Sequence, residues 1–142
     1  MPTPEEIEVA ELLLRKGASD RAAARLLAGD PGQLDDVVGF HAHQAVEKSI
    51  KAVLAIRGFE IPRTHDLTHL AGLVAASGLD IPHEVVEAEW LAPWAVTMRY
   101  DEPAAPLDRA AAVEVAAHAV AWAHDLIDAA RGDGHPGVRP QT

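Results

Sequence analysis

The chain has no cysteine, so it can form no disulfide, offers no thiolate metal ligand and carries no thiol nucleophile. That composition fits a reducing compartment. No uncharged apolar run approaches the roughly 18–20 residues that a membrane span needs. The N-terminal run MPTPEEIEVAELLL carries acids where a secretory signal carries bases, so the chain reads as cytoplasmic. Positive charge is also scarce: 12 bases face 22 acids, for a net charge of −10. This excludes a nucleic-acid coat built on overall electrostatics, because phosphate contacts need a concentrated basic face. No glycine-rich phosphate loop occurs, and no Ser-His-Asp arrangement stands out.

What is present is alanine, leucine and valine in helical register. At 142 residues and 49% hydrophobic content, the chain can bury one core. No period-2 run suggests a strand. The expected architecture is all-α, an antiparallel bundle of four to five helices over residues 1–131, with 132–142 as a disordered tail. Pro4 and the acids after it open a first helix reaching about Ala28, with Gly17-Ser19 as an alternative break. GDPG at 29–32 is a turn. A second helix spans about Gln33 to Arg57 and stops at Gly58. Thr64 caps a third helix with Asp66 in its first turn, ending at Ser77-Gly78. Pro82 starts a fourth that Pro93 kinks or interrupts. RYDEPAAP is a loop, and Pro106 opens the last helix, which ends near Arg131-Gly132.

Charge is distributed unevenly. Residues 40–70 hold four bases and three acids, a net +1 that leaves −11 for the rest, and they contain half of the eight histidines. At 100° per residue, Val38, Ala42, Ala45, Val46, Ser49, Ile50, Val53 and Ile56 fill a core arc of the second helix. Opposite lie His41, Gln44, Glu47, Lys48 and Lys51, interleaved with Val37 and Phe40. Such a mixed stripe is a solvated face, a helix interface or a ligand cleft. Phe40, His41, Gln44 and Glu47 are the interface candidates. Lys48, Lys51, His65, Arg99 and Tyr100 are the cleft candidates. His65 and His69 have i, i+4 spacing, but no third ligand is evident, so no metal and no cofactor is expected.

Gln44–Ala52, QAVEKSIKA, resembles the QAxEKxxKA core of the HEPN family (higher eukaryotes and prokaryotes nucleotide-binding domains). Gly58, Pro62, Thr64-His65-Asp66-Leu67 and Leu70 match that family's G…P…THDLxxL continuation, and Arg99-Tyr100 falls where Arg-Tyr-Pro is common. The likeness covers roughly residues 8–130. It implies a helical bundle, usually a homodimer, and nucleotide or RNA as ligand. It also implies a minimal nucleotidyltransferase as partner, in toxin–antitoxin-like modules. Many members resembling it are metal-independent ribonucleases using Arg-x(4–6)-His near the start of the last helix, where His moves protons and Arg steadies the anionic transition state.

Here the sequence departs from the catalytic pattern. After Arg99 no His occurs before His118, and Arg109 lies nine positions before that residue. Nine helical positions span roughly 13 Å, too far for one phosphate. Arg57 precedes His65 by eight, and Arg131 precedes His135 by four in the tail. The expectation is therefore a noncatalytic nucleotide-binding or partner subunit. A ribonuclease with an unusual Arg/His site and a purely structural dimer are the alternatives.

Overall fold

In the computed structural model, residues 1–95 and 105–133 are described. They form five α-helices and one 3-10 helix, with no strand among them: α1 (Pro4–Ala28), α2 (Asp35–Ile56), α3 (Leu67–Ala76), α4 (His83–Val86), the 3-10 helix (Ala88–Trp94) and α5 (Arg109–Asp133). The all-helical expectation holds.

α1 starts at a capping box. Thr3 Oγ1 accepts from Glu6 N at 3.1 Å, and Glu6 Oε1 accepts from Thr3 N at 2.9 Å. The helix runs unbroken through Gly17, so the alternative break does not occur. Gly17 faces α2: a Cβ placed there would lie 3.4 Å from Ala45 O and Lys48 Cβ. Ala10, Gly17, Asp20 and Ala24 form the buried face of α1. Ala10 packs with Ala52 and Ala55, and Gly17 with Ala45, so the two helices run antiparallel. α5 runs the other way from α1: Arg109 meets the end of α1, while Arg131 meets Glu11 near its start.

α2 is the central helix, packed by α1, α3, the 3-10 helix and α5. Of the expected core arc, all but Ile56 are buried. Burial goes well beyond that arc and takes in Gly39, His43, Glu47, Lys51 and Leu54. Gly39 permits the closest approach. A Cβ there would come within 2.5 Å of Trp94 Cβ and Cγ, so the indole lies directly against bare backbone.

Gly58 (φ 84°) and Gly78 (φ 94°) adopt the left-handed conformation just past α2 and α3. Phe59 N donates to Leu54 O at 3.0 Å, closing the end of α2 as a glycine C-terminal motif.

Two starts and the course of one helix differ from expectation. Asp66, not Thr64, caps α3: its Oδ1 accepts from His69 N at 3.1 Å, while Thr64 Oγ1 accepts from Asp66 N. His65 therefore precedes the helix, and its i, i+4 relation to His69 is not a helical one. Asp108 caps α5 by accepting from Ala111 N, so Pro106 lies before the helix. The fourth helix starts after Pro82 as one short α turn and continues as the 3-10 helix that contains Pro93. Most of RYDEPAAP and the 134–142 part of the tail lie outside the described residues. Gly132 and Asp133 belong to α5.

Candidate functional site

Two carboxylates organise the polar stripe of α2. Glu47 is 3% exposed. Its Oε2 accepts from Lys51 Nζ at 2.8 Å, and its Oε1 lies 2.8 Å from His65 Nδ1. Asp20, contributed by α1, repeats the pattern: Oδ2 accepts from Lys48 Nζ at 2.6 Å, and Oδ1 lies 2.9 Å from His41 Nδ1. Each carboxylate thus holds one lysine and one imidazole. An ionised carboxylate only accepts, so each imidazole donates through Nδ1 and a neutral ring keeps Nε2 as acceptor. The His65 side chain is 70% exposed, which leaves its ring open to solvent.

Behind Glu47 sits His43, fully buried, with Nδ1 3.7 Å from Glu47 Oε1 and neither ring nitrogen hydrogen-bonded. Burial pulls its pKa below the ordinary imidazole value. Glu47 and Glu89 oppose that shift, while His65 and Lys51 add to it. Its neighbour Glu89 accepts from the Thr68 backbone N–H at 3.1 Å, tying the start of α3 to the 3-10 helix. Phe40 stacks edge-on against His41, with ring centroids 5.5 Å apart.

The cleft candidates Lys48, Lys51 and His65 do gather along α2, but not as free cations. Arg99 and Tyr100 lie outside the described residues. Of the interface candidates, Phe40, His41 and Gln44 are partly exposed, whereas Glu47 is inside its own chain. Sequence reasoning missed Asp20 and His43. The signal for Asp20 was its place on the Ala10-Gly17-Ala24 face, where α1 meets α2.

Each arginine considered beside a histidine, apart from Arg99, has other employment. Arg109 donates through Nε to Asp35 Oδ1 at 2.8 Å, and through its Nη groups to the carbonyls of Ala28 (3.3 Å), Asp30 (3.2 Å) and Gln33 (2.5 Å). It therefore fastens the α1–α2 turn. Asp35 also accepts from Leu107 N at 2.9 Å, and that bond, followed by Arg109, holds its carboxyl below the usual range despite burial. Arg57 binds Ser77, and Arg131 binds Glu11 and Asp128. His118 lies 3.4 Å from Glu84 in a cavity of about 360 Å³ that Glu87, Trp90 and Glu114 also line, an acidic setting hostile to phosphate. Among the described residues no three His, Asp or Glu side chains could hold a metal ion.

A model of the HEPN domain matches residues 10–132. The chain belongs to the HEPN family. Comparison with curated proteins and with solved structures gave no match. In this HEPN domain, QAVEKSIKA is the middle of the central helix and THDL is the capped start of α3. Among the described residues, no helix is long and apolar enough to cross a membrane.

Proposed function

We propose that this HEPN protein is a noncatalytic, self-associating subunit that works with a minimal nucleotidyltransferase in a toxin–antitoxin-like module, presenting the α2 stripe to nucleotide or partner. One observation carries the reading: both stripe lysines are already ion-paired, Lys48 to Asp20 and Lys51 to Glu47. With neutral imidazoles the cluster has no net charge. A phosphate approaching it must compete with a carboxylate at 2.6–2.8 Å. What the surface does offer is hydrogen bonding from His41, Gln44 and His65 beside the Phe40 ring, chemistry suited to a base, a ribose or a protein surface. Arg99 and Tyr100 are the remaining candidates for phosphate.

The test is gentle purification from the native host, followed by melting curves with ATP, GTP, AMP and short RNAs. Co-purification of a nucleotidyltransferase, or a ligand-dependent rise in Tm lost in His65→Ala, is the expected result. Absence of both sinks the proposal.

The Glu47–His65 pair favours one second reading, a metal-independent ribonuclease. A carboxylate-oriented imidazole with an open Nε2 can take the proton from a 2′-hydroxyl. That reading requires RNA cleavage in EDTA that disappears in His65→Ala. Intact single-stranded and transfer RNA after incubation with the purified protein would eliminate it.

A further inference from the structure

The cavity of about 360 Å³ that His118 lines opens between the short α4, the 3-10 helix and the first turns of α5. None of its lining residues belongs to α2, so it is separate from the polar stripe. Val115 of α5, 4% exposed, gives it an apolar floor. Trp90 lines it as well and is 39% exposed, whereas Trp94, four residues on, is 5% exposed. Val86, which lies in the chain between two of the lining residues, is 45% exposed. Apolar surface is therefore left uncovered at this mouth.

Three carboxylates surround it: Glu84 and Glu87 from the α4 side, and Glu114 from α5. No lysine or arginine among the described residues pairs with any of them. Elsewhere the pattern is the reverse, since Asp20, Asp35 and Glu47 each hold a lysine or arginine at 2.6–2.8 Å. Here the neighbours are imidazoles, with His118 Nδ1 3.4 Å from Glu84 Oε1 and His83 Nε2 3.5 Å from Glu87 Oε1. Both contacts are longer than a good N–H···O bond, so the carboxylate lone pairs stay free for a better donor. Like charges around one cavity also repel, and a cation among them relieves that cost.

Arginine fits this combination better than any other cationic side chain. Its planar fork makes two parallel bonds to a carboxylate, and its flat face stacks on an indole. A free small cation would satisfy the acids but leave Trp90 and Val86 as wet as before. A peptide segment covers them, and tryptophan and arginine are the residues that most often anchor protein interfaces. We propose that this cavity is a docking site for a segment of a partner protein that presents an arginine. The guanidinium lies on the Trp90 ring with Glu84, Glu87 and Glu114 around it, and the flanking peptide covers the exposed apolar surface. The docking site stands whether or not the α2 stripe binds nucleotide.

The test follows the indole N–H signals of nitrogen-labelled protein by NMR, with Trp90 assigned through Trp90→Phe. The probe is an end-capped heptapeptide with a central arginine flanked by leucines. It is titrated at physiological salt, which screens general attraction to an acidic chain. The expected result is a saturable shift of the Trp90 signal. Binding is expected to weaken about tenfold in Glu84→Gln/Glu114→Gln. It is expected to change by less than about twofold in Glu5→Gln/Glu60→Gln, which loses the same charge from exposed positions outside the cavity. Circular dichroism checks that each variant keeps its helicity. An unmoved Trp90 signal overturns the proposal. Equal weakening in the two charge variants also overturns it, because the binding is then attraction to net charge alone. Spermine or free guanidinium binding as tightly as the peptide overturns it in favour of a small-cation site.

Discussion

Replacing Glu47 by glutamine keeps the side-chain shape and removes the charge that balances Lys51. Glu47 is 3% exposed and Lys51 9%, and their contact is 2.8 Å. Removing one member of a buried ion pair costs about 3–5 kcal/mol, because the other charge stays in a poorly solvated place. The lysine keeps some contact with solvent, so the lower end, about 3 kcal/mol, is expected. For a chain of this length, about 4 °C per kcal/mol gives a fall in Tm on the order of 10 °C. The decisive comparison is Glu47→Gln/Lys51→Met. With both charges gone no buried ion is left unpaired, and most of the stability is expected to return, an interaction energy of at least about 2 kcal/mol. Urea unfolding of the wild type, both single variants and the double variant, followed by circular dichroism, measures the cycle. A loss below about 1 kcal/mol in Glu47→Gln, the size of an exposed pair, would refute the reasoning. So would a double variant no better than the worse single one.

Gly39→Ala puts a methyl 2.5 Å from Trp94 and is expected to cost about 1–3 kcal/mol by overpacking. Gly17→Ala meets its neighbours at 3.4 Å and is expected to gain up to about 1 kcal/mol from helix propensity; thermal melts compare the two. Arg109→Lys keeps the charge but loses the fork that reaches several carbonyls, and a loss of about 2 kcal/mol in urea unfolding is expected. His43 gives a pH dependence of fixed sign. Its folded pKa is depressed below 6.5, so its contribution is fully present above that value. As pH falls below it the unfolded chain takes up a proton that the folded chain refuses, at up to about 1.4 kcal/mol per pH unit until the folded value is passed. His43→Leu is expected to flatten the fall in urea midpoint between pH 7.5 and 5.5, and an unchanged slope would assign that loss to other groups.

The helical class, the turns and the core arc of α2 were legible because they depend on local periodicity and on Gly and Pro. The end of α2 at Gly58 is such a case, since only the left-handed conformation there closes the helix. The cap of α3 was misjudged by two residues because Thr64 and Asp66 are both good caps. The choice falls to which oxygen reaches His69 N, and that is a three-dimensional fact. The stripe was visible as polar but not as buried. Its lysines looked available because Lys48's partner, Asp20, lies 28 positions away on α1. Glu47 and Lys51 were adjacent on one helix turn, but nothing local marks them as buried, and the imidazole that meets Glu47 lies 18 positions further on. Arg109 attracted attention for its spacing to His118, while its actual partners lie 74–82 positions upstream.

That last separation has a consequence for the order of events during synthesis. α1 and α2 are neighbours in sequence and can pair as soon as both have left the ribosome, since short loops close quickly. The carbonyls of Ala28, Asp30 and Gln33 then stay hydrated until residue 109 arrives. The nascent hairpin is therefore sealed by the C-terminal helix. Protease access to the Gly29–Gln33 turn becomes a clock for the moment when the last helix docks.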